Sequence, residues 1–394
     1  MTASGWAWGR LSDVVSEIHA GYSVVAEDRP ATAGEAAVLR TGAVIGGQFK
    51  PHEQKAVTHG VDRLRVRVRP DSVLMGRKNS AELVGSAVHV DREHGALYLS
   101  DLIWELKPAE CIDSRWLACA LQHGELPERV RISATGTQST MKNLNRETVL
   151  ALPVLIPPVK EQSAMADILR TWDDAIAATT RARALQRDSY AALVETLAAA
   201  STNMRALGSL TSQLSARNAD GKFGRSDVMG VSNRRGLIPM REQTISSELG
   251  RYRMLPPKAF AYNPMRIDVG SIAMSRRSSD VIVSPDYVLF ACNVSLLLPE
   301  YLNHVLATRR WRHDVSAGSS GSVRTRTYYD DLAAIRIHVP EVAEQARIAG
   351  ALDAMQEEIA LLDRQLELLR EQKRGLAEKL LSGAIRVANR GRDD

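Results

Sequence analysis

Residues 340–383 read PEVAEQARIAGALDAMQEEIALLDRQLELLREQKRGLAEKLLSG. Ile348, Leu352, Met355, Ile359, Leu362, Leu366, Leu369, Leu376 and Leu380 follow in steps of four and three, and Lys373 interrupts the run. That spacing forms an apolar stripe along one side of a helix for more than four heptads, and such a stripe needs a second helix to cover it. Just before it, Ile335-Arg336-Ile337-His338-Val339-Pro340 reads as a short strand that proline ends.

The same passage occurs earlier in the chain. Pro157-Pro158-Val159-Lys160-Glu161-Gln162 matches Pro340-Glu341-Val342-Ala343-Glu344-Gln345, 183 residues apart. The match continues at Ala166/Ala349, Leu169/Leu352, Ile176/Ile359, Leu193/Leu376 and Leu197/Leu380, and upstream at Ser133-Ala134/Ser316-Ala317 and Ser139/Ser322. The chain is therefore two globular halves, each followed by a long helix. The first helix has apolar ends and a polar middle at Thr179, Arg183 and Gln186. Two seams of equal length in one chain pair most simply with each other. We expect an antiparallel pair, with the halves at opposite ends and Arg181 or Arg183 meeting Asp363 or Glu367. The expected partner-helix contacts are Leu169, Trp172, Ile176, Leu193, Leu197, Leu352, Ile359, Leu366, Leu376 and Leu380.

The halves read as mixed α/β. Trp8 to Val15 suggests the start of a short helix, and Trp116 to Gln122 a second helix. Arg63 to Arg69 (RLRVRVR) alternates as a strand with one arginine face. Val73-Leu74-Met75, Ala259-Phe260-Ala261-Tyr262 and Val281 to Phe290 read as strands, the last broken at Ser284-Pro285.

Charge is distributed unequally. Residues 1–159 hold eighteen basic and eighteen acidic residues, whereas residues 201–340 hold nineteen and eleven, and the basic ones are mostly arginine. An arginine-rich surface suits nucleic acid, because the guanidinium fork pairs with phosphate and with guanine edges. The loop before each proline-ended strand points the same way. Residues 133–145 and 316–326 are both rich in small hydroxyl residues and glycine, then offer Lys/Asn or Arg/Thr/Arg. Hydroxyls contact phosphates; Arg, Lys and Asn also read base edges. The candidate DNA contacts in the first half are Arg77, Lys78, Asn79, Thr137, Ser139, Lys142, Asn143 and Asn145. In the second they are Arg234, Arg235, Asn263, Arg266, Arg276, Arg277, Ser322, Arg324 and Arg326.

In this arrangement the chain resembles the specificity (S) subunit of type I restriction-modification systems, HsdS. The two Pro-x-x-x-Glu-Gln helix starts carry the resemblance. Leu99-Ser100-Asp101-Leu102-Ile103, Tyr262-Asn263-Pro264-Met265-Arg266, Gly270-Ser271-Ile272-Ala273, Val283-Ser284-Pro285-Asp286-Tyr287 and Leu380-Leu381-Ser382-Gly383 support it. The resemblance implies two target recognition domains (1–157 and 204–340), a central helix (158–203), a C-terminal helix (341–385) and a basic tail (386–394). The helices would form an antiparallel coiled coil that acts as a ruler. It implies a non-catalytic phage-defence protein that reads a bipartite double-stranded DNA target. Two methyltransferase subunits and restriction subunits would be its partners. S-adenosylmethionine, ATP and Mg²⁺ would sit on those partners, with no cofactor on this chain. The neutral first half departs from that picture, so its DNA face has to be local or assisted by a partner.

Two other readings compete. A stand-alone nuclease would use Asp71, Glu105 and Lys107, and a coiled-coil scaffold would have no DNA role. Asn263-Pro264-Met265-Arg266 imitates an adenine methyltransferase motif but lacks its second proline and its aromatic residue. No GxxxxGK[ST] loop occurs, so nucleotide hydrolysis is not expected. Cys111, Cys119 and Cys292 lack metal spacing and read as small buried hydrophobes. No signal peptide or apolar span appears, so the cytoplasm is the expected compartment and no membrane is involved.

Overall fold

The computed structural model describes residues 5–136, 141–233, 235–317 and 326–387. The chain divides into two compact units, residues 1–179 with 365–394 and residues 180–364.

In chain order the first unit holds β1 (Ala7–Arg10), α1 (Leu11–Val14), β2 (Val15–Ala20), β3 (Val25–Glu27), β4 (Ala37–Leu39), β5 (Gln54–His59), β6 (Val73–Gly76), β7 (Lys78–Asn79), β8 (Ala87–His89), β9 (Leu97–Tyr98) and β10 (Ile103–Pro108). Then come α2 (Ser114–Gln122), α3 (Leu126–Ser133), β11 (Lys142–Asn143), α4 (Arg146–Leu150), β12 (Pro153–Ile156) and the start of α5 (Val159–Ala198). The central sheet has the order β2-β10-β6-β8. Every residue of β6 is buried, as an apolar run covered on both faces requires. Val73 and Met75 pack into a core with Leu11, Val14, Trp116 and Leu117. Leu74 points the other way, to Val88, Ile103, Leu39 and Leu99, where the second sheet β3-β5-β4-β9 packs.

The second unit repeats this plan. It begins in α5 and continues through β13 (Met204–Ala206), β14 (Thr211–Leu214), β15 (Val228–Ser232), β16 (Gly236–Pro239), β17 (Arg253–Leu255), β18 (Phe260–Tyr262), β19 (Ile272–Met274), β20 (Val281–Val283) and β21 (Val288–Cys292). There follow α6 (Pro299–Val305), α7 (Arg309–Ala317), α8 (Tyr329–Ala334), β22 (Arg336–His338) and the start of α9 (Val342–Leu381). Its central sheet β14-β21-β18-β19 mirrors β2-β10-β6-β8, and the pair β13–β22 mirrors β1–β12. Phe260 and Phe290 stack at its centre, ring centroids 5.0 Å apart.

Three expectations need correction. Trp8 to Arg10 is strand, paired in register with Leu155 to Pro153, and only Leu11–Val14 is helical. Residues 63–69 keep the alternating exposure but form no regular strand. Val61–Arg63 closes a 3-10 turn, and β9 is only two residues long, so contact is limited to Val66–Val68 and the Arg67–Tyr98 bridge. Cys111 is exposed, in a turn with φ 61°, and only Cys119 and Cys292 are partly covered. Burial pushes both of those thiols up to about 12.

The long helices follow the heptad spacing. In the second unit Arg183 donates to Asp363 at 2.8 Å, Gln186 to Glu358 at 2.5 Å, and Gln356 to the Tyr190 hydroxyl at 2.7 Å. Rising numbers on α5 meet falling numbers on α9, so the segments run antiparallel, and Arg183 meets Asp363 as the sequence suggests. In the first unit Met165, Ala166 and Leu169 share a core with Leu376, Ala377 and Leu380. There Lys373 ends 2.7 Å from Asp173. All ten residues expected at the seam are buried or half-buried.

Candidate nucleic-acid interface

The two halves build their candidate loops in the same way. In the first, the chain leaves buried β6 at Gly76 and turns into β7. There Lys78 pairs with Asn143 and Asn79 with Lys142 of β11. The Leu144 amide donates to the Arg77 carbonyl at 3.0 Å. The structure thus brings Arg77, Lys78, Asn79, Lys142 and Asn143 onto one short ribbon. Thr135 bridges Asn143 at its neck. Gly136 is required there: its φ is +132°, and a Cβ would lie 2.7 Å from the Met141 carbonyl oxygen. Lys142 Nζ donates to the Gly136 carbonyl at 2.6 Å. Asn145 caps α4, accepting from the Thr148 amide at 3.2 Å. The guanidinium groups of Arg77 and Arg146 each lie 5.9 Å from the Trp104 ring centroid. Sequence reading missed Arg146 and Trp104, because their meeting needs the folded β10.

In the second half the chain leaves β18 into the turn Asn263–Arg266. Asn263 Oδ1 accepts the Met265 amide at 3.0 Å, and the Arg266 amide donates to the Asn263 carbonyl at 3.0 Å. The Thr327 amide donates to the Pro264 carbonyl at 3.0 Å, which holds neighbouring Arg326 beside this turn. The β15–β16 hairpin, whose tip carries Arg235, lies alongside: Ser271 Oγ donates to the Val231 carbonyl at 3.4 Å. Asn263, Arg266, Arg235 and Arg326 are therefore grouped. Arg276 goes elsewhere, to Asp353 and Gln356 of α9, 3.3 Å from each, and Arg277 is exposed next to it. Thr137, Ser139, Arg234, Ser322 and Arg324 lie outside the described residues.

The repeated glutamines have a structural job that the sequence did not disclose. Gln162 is 1% exposed. Its amide donates to the Pro157 carbonyl at 2.8 Å and accepts from the Asp113 amide at 2.9 Å, just before α2. Gln345 repeats this with the Pro340 carbonyl at 2.9 Å and the Leu298 amide at 2.8 Å, just before α6. The glutamines tie each long helix to its own globular half.

The residues weighed for a nuclease, Asp71, Glu105 and Lys107, line one groove, but each is engaged by a different partner, Lys107 by Glu17 at 3.7 Å. Glu105 accepts from Ser72 Oγ at 2.6 Å and contacts His19 at 3.2 Å, while Asp71 lies 3.4 Å from His89. Among the described residues no cluster of three or more His, Cys, Asp or Glu could hold a metal ion, and no helix is long and apolar enough to cross a membrane.

Residues 4–186 match the family described as type I restriction modification DNA specificity domain. That match covers the first globular half and much of α5, under half of the chain. It is also similar to the EcoEI specificity subunit of Escherichia coli, 23% identical over 176 residues, which are 43% of this chain and 30% of that protein. The match thus spans under a third of that relative's length. Among solved structures, the S subunit of a type I restriction-modification system from M. genitalium superposes with TM-score 0.60 at 13% identity, over 97% of both chains. A chain described for complex assembly and conformational transition of the type I system superposes with TM-score 0.55 at 16% identity, over 97% of this chain and 98% of that one. At these identities the structures speak for the fold.

Proposed function

We propose that this chain is the DNA-reading subunit of a type I modification or restriction-modification enzyme. Each half contacts one part of a split target, and the paired helices set the spacing between them. The observation that carries the reading is the duplicated loop. Arg77–Asn79 with Lys142–Asn143, and Asn263–Arg266 with Arg326, occupy the same place after the same central strand. The chain supplies no catalysis in this reading. S-adenosylmethionine, ATP and Mg²⁺ belong to partner subunits.

Two grooves at matching positions of the repeat favour docking of two copies of one partner, a methyltransferase. In the first unit a groove of about 610 Å³ is lined by Trp8, Leu126, Leu155, Glu378 and Leu381. In the second a much shallower one, about 40 Å³, is lined by Glu195, Ala198, Val305, Trp311 and His338. Glu195 and Ala198 stand 183 residues before Glu378 and Leu381, the offset of the repeat. Co-expression with the neighbouring methyltransferase, followed by mapping of methylated adenines, tests the reading. A bipartite motif is expected. Undirected methylation, or none, would refute it.

A further inference from the structure

The sequence offers an arginine pattern that the loops leave unused. In the first half it is Arg65-Val66-Arg67-Val68-Arg69, and the structure shows its counterpart. Val66–Val68 lies antiparallel to β9, with Arg67 bridging Tyr98, and β9 runs parallel to β4. In the second half β17 lies antiparallel to β20, with Arg253 opposite Val283, and β20 runs parallel to β15. Both segments flank the same position of the second sheet, and both lead through Pro70 or Pro256 into the buried central strand. Arg65 and Arg67 thus correspond to Arg251 and Arg253, at an offset of 186 rather than 183. That shift hides the match from the repeat that begins at the helices.

In the second half no ion pair among the described residues holds the segment, and Asp286 is the carboxylate near Arg253. Arg217 bridges Arg253 directly across the strands, and Arg217 Nη1 reaches the Arg251 carbonyl at 3.3 Å. Arg253 Nε donates to the Pro285 carbonyl at 3.0 Å. Among the described residues no carboxylate lies within ion-pair distance of these three guanidinium groups. Like charges placed opposite each other cost stability. Burial, then the nearby Arg217, holds the Arg253 guanidinium below its usual range. In the first half Glu93 takes Arg67 at 2.9 Å. Arg65 and Arg69 stay exposed on a groove of about 400 Å³ that Lys107 also lines; Asp71 and Glu105 on its wall are engaged by His89 and by Ser72 and His19.

These arginines stand apart from the candidate reading loops. β17 is three strands from β16, roughly 14 Å at ~4.8 Å per strand. In the first half Pro70 enters β6 at the end opposite Arg77, about 13 Å away at ~3.3 Å per residue.

We infer that each half carries an arginine clamp, Arg65 and Arg69 in the first and Arg217, Arg251 and Arg253 in the second, that grips phosphodiester groups of duplex DNA beside the bases its own half reads. The inference rests on the DNA-reading function proposed above. Guanidinium forks bind phosphate oxygens in pairs and carry no base information when they do so. The clamp therefore supplies affinity and register, and the loops supply specificity.

The test is fluorescence anisotropy of the full chain on a mixed-sequence duplex across a salt series. The variants are Arg65→Gln with Arg69→Gln, and Arg217→Gln with Arg251→Gln. The slope of log K against log salt should become shallower by about 0.9 for each phosphate that is no longer neutralised, equivalent to about fivefold weaker binding per phosphate near 0.15 M salt. The weakening should be equal on every sequence, and the Arg→Lys versions should recover most of the slope. Unchanged affinity and slope in both double variants, beside weakened binding by Arg326→Gln, overturn the clamp and leave the proposed function standing. A change in the methylated motif would make these arginines base readers and also overturn it. Absence of salt-sensitive DNA binding by the unaltered chain overturns both.

Discussion

Gln162 and Gln345 are single residues on which the joint between helix and globular half depends. Each is buried and meets a proline carbonyl and a distant amide. Gln162→Leu would leave the Asp113 amide and the Pro157 carbonyl unsatisfied, at about 1–3 kcal/mol each. We expect denaturant unfolding to show a loss of about 2–5 kcal/mol for either glutamine. A loss under 1 kcal/mol would mean that water replaces the side chain. The pairing was legible in the sequence only as a repeated letter, because the amides reached lie 49 and 47 residues away. His123 offers a second residue-scale test. Burial, then nearby Lys373, pushes it down to about 4, and its Nε2 is buried without a hydrogen-bond partner among the described residues. Above about pH 6.5 the ring is neutral in both folded and unfolded chains. Between there and about pH 4 only the unfolded chain takes the proton, so stability falls as pH falls, by roughly 2–3 kcal/mol. His123→Gln should make the fall in melting temperature between pH 6.5 and 5 shallower; the rest of the slope comes from His89, His94 and His304, which burial also pushes down. An unchanged pH slope would count against this assignment.

At the scale of elements, the long helices were legible and the arginine segment was not, for one physical reason. A heptad stripe fixes a helix locally, since the pattern and the hydrogen bonds belong to the same residues. A strand depends on its neighbour, and β9 is too short to complete a ladder along residues 63–69. The interruption of the seam at Lys373 also acquires a cause. Its side chain is 11% exposed, and its ammonium is matched by Asp173 on the other helix. A polar pair inside an apolar seam costs stability and favours the register in which the two charges meet. Asp173→Ala alone should destabilise by about 1–3 kcal/mol, between the values of exposed and buried pairs. Lys373→Leu combined with Asp173→Leu should restore or exceed the original stability. If the double variant is no more stable than Asp173→Ala, the pair is not the register element.

For the whole molecule, the duplication matters more than either half. The repeat was legible where the helices begin, because Pro, Glu and Gln hold fixed roles there. It was illegible within the halves, where the four-stranded order recurs with almost no shared residues. Met75 and Phe260 face the equivalent core from the two central strands with different side chains. Backbone topology is kept while surfaces diverge, which suits two readers of different sequences. Even the charges differ, with the first half neutral and the second strongly basic. Modularity follows: each half buries its own core, and each is tied to the helices by its own glutamine. Under the proposed function, replacing residues 1–157 with the corresponding half of a type I specificity subunit should change one part of the methylated motif. The other part and the spacing should stay as they were, because α9 and the second half are untouched. Sequencing of methylated adenines from cells carrying the hybrid and its methyltransferase reads all three features at once. A motif altered in both parts would show that the halves read DNA jointly, and a changed spacing would move the ruler from the helices into the exchanged half.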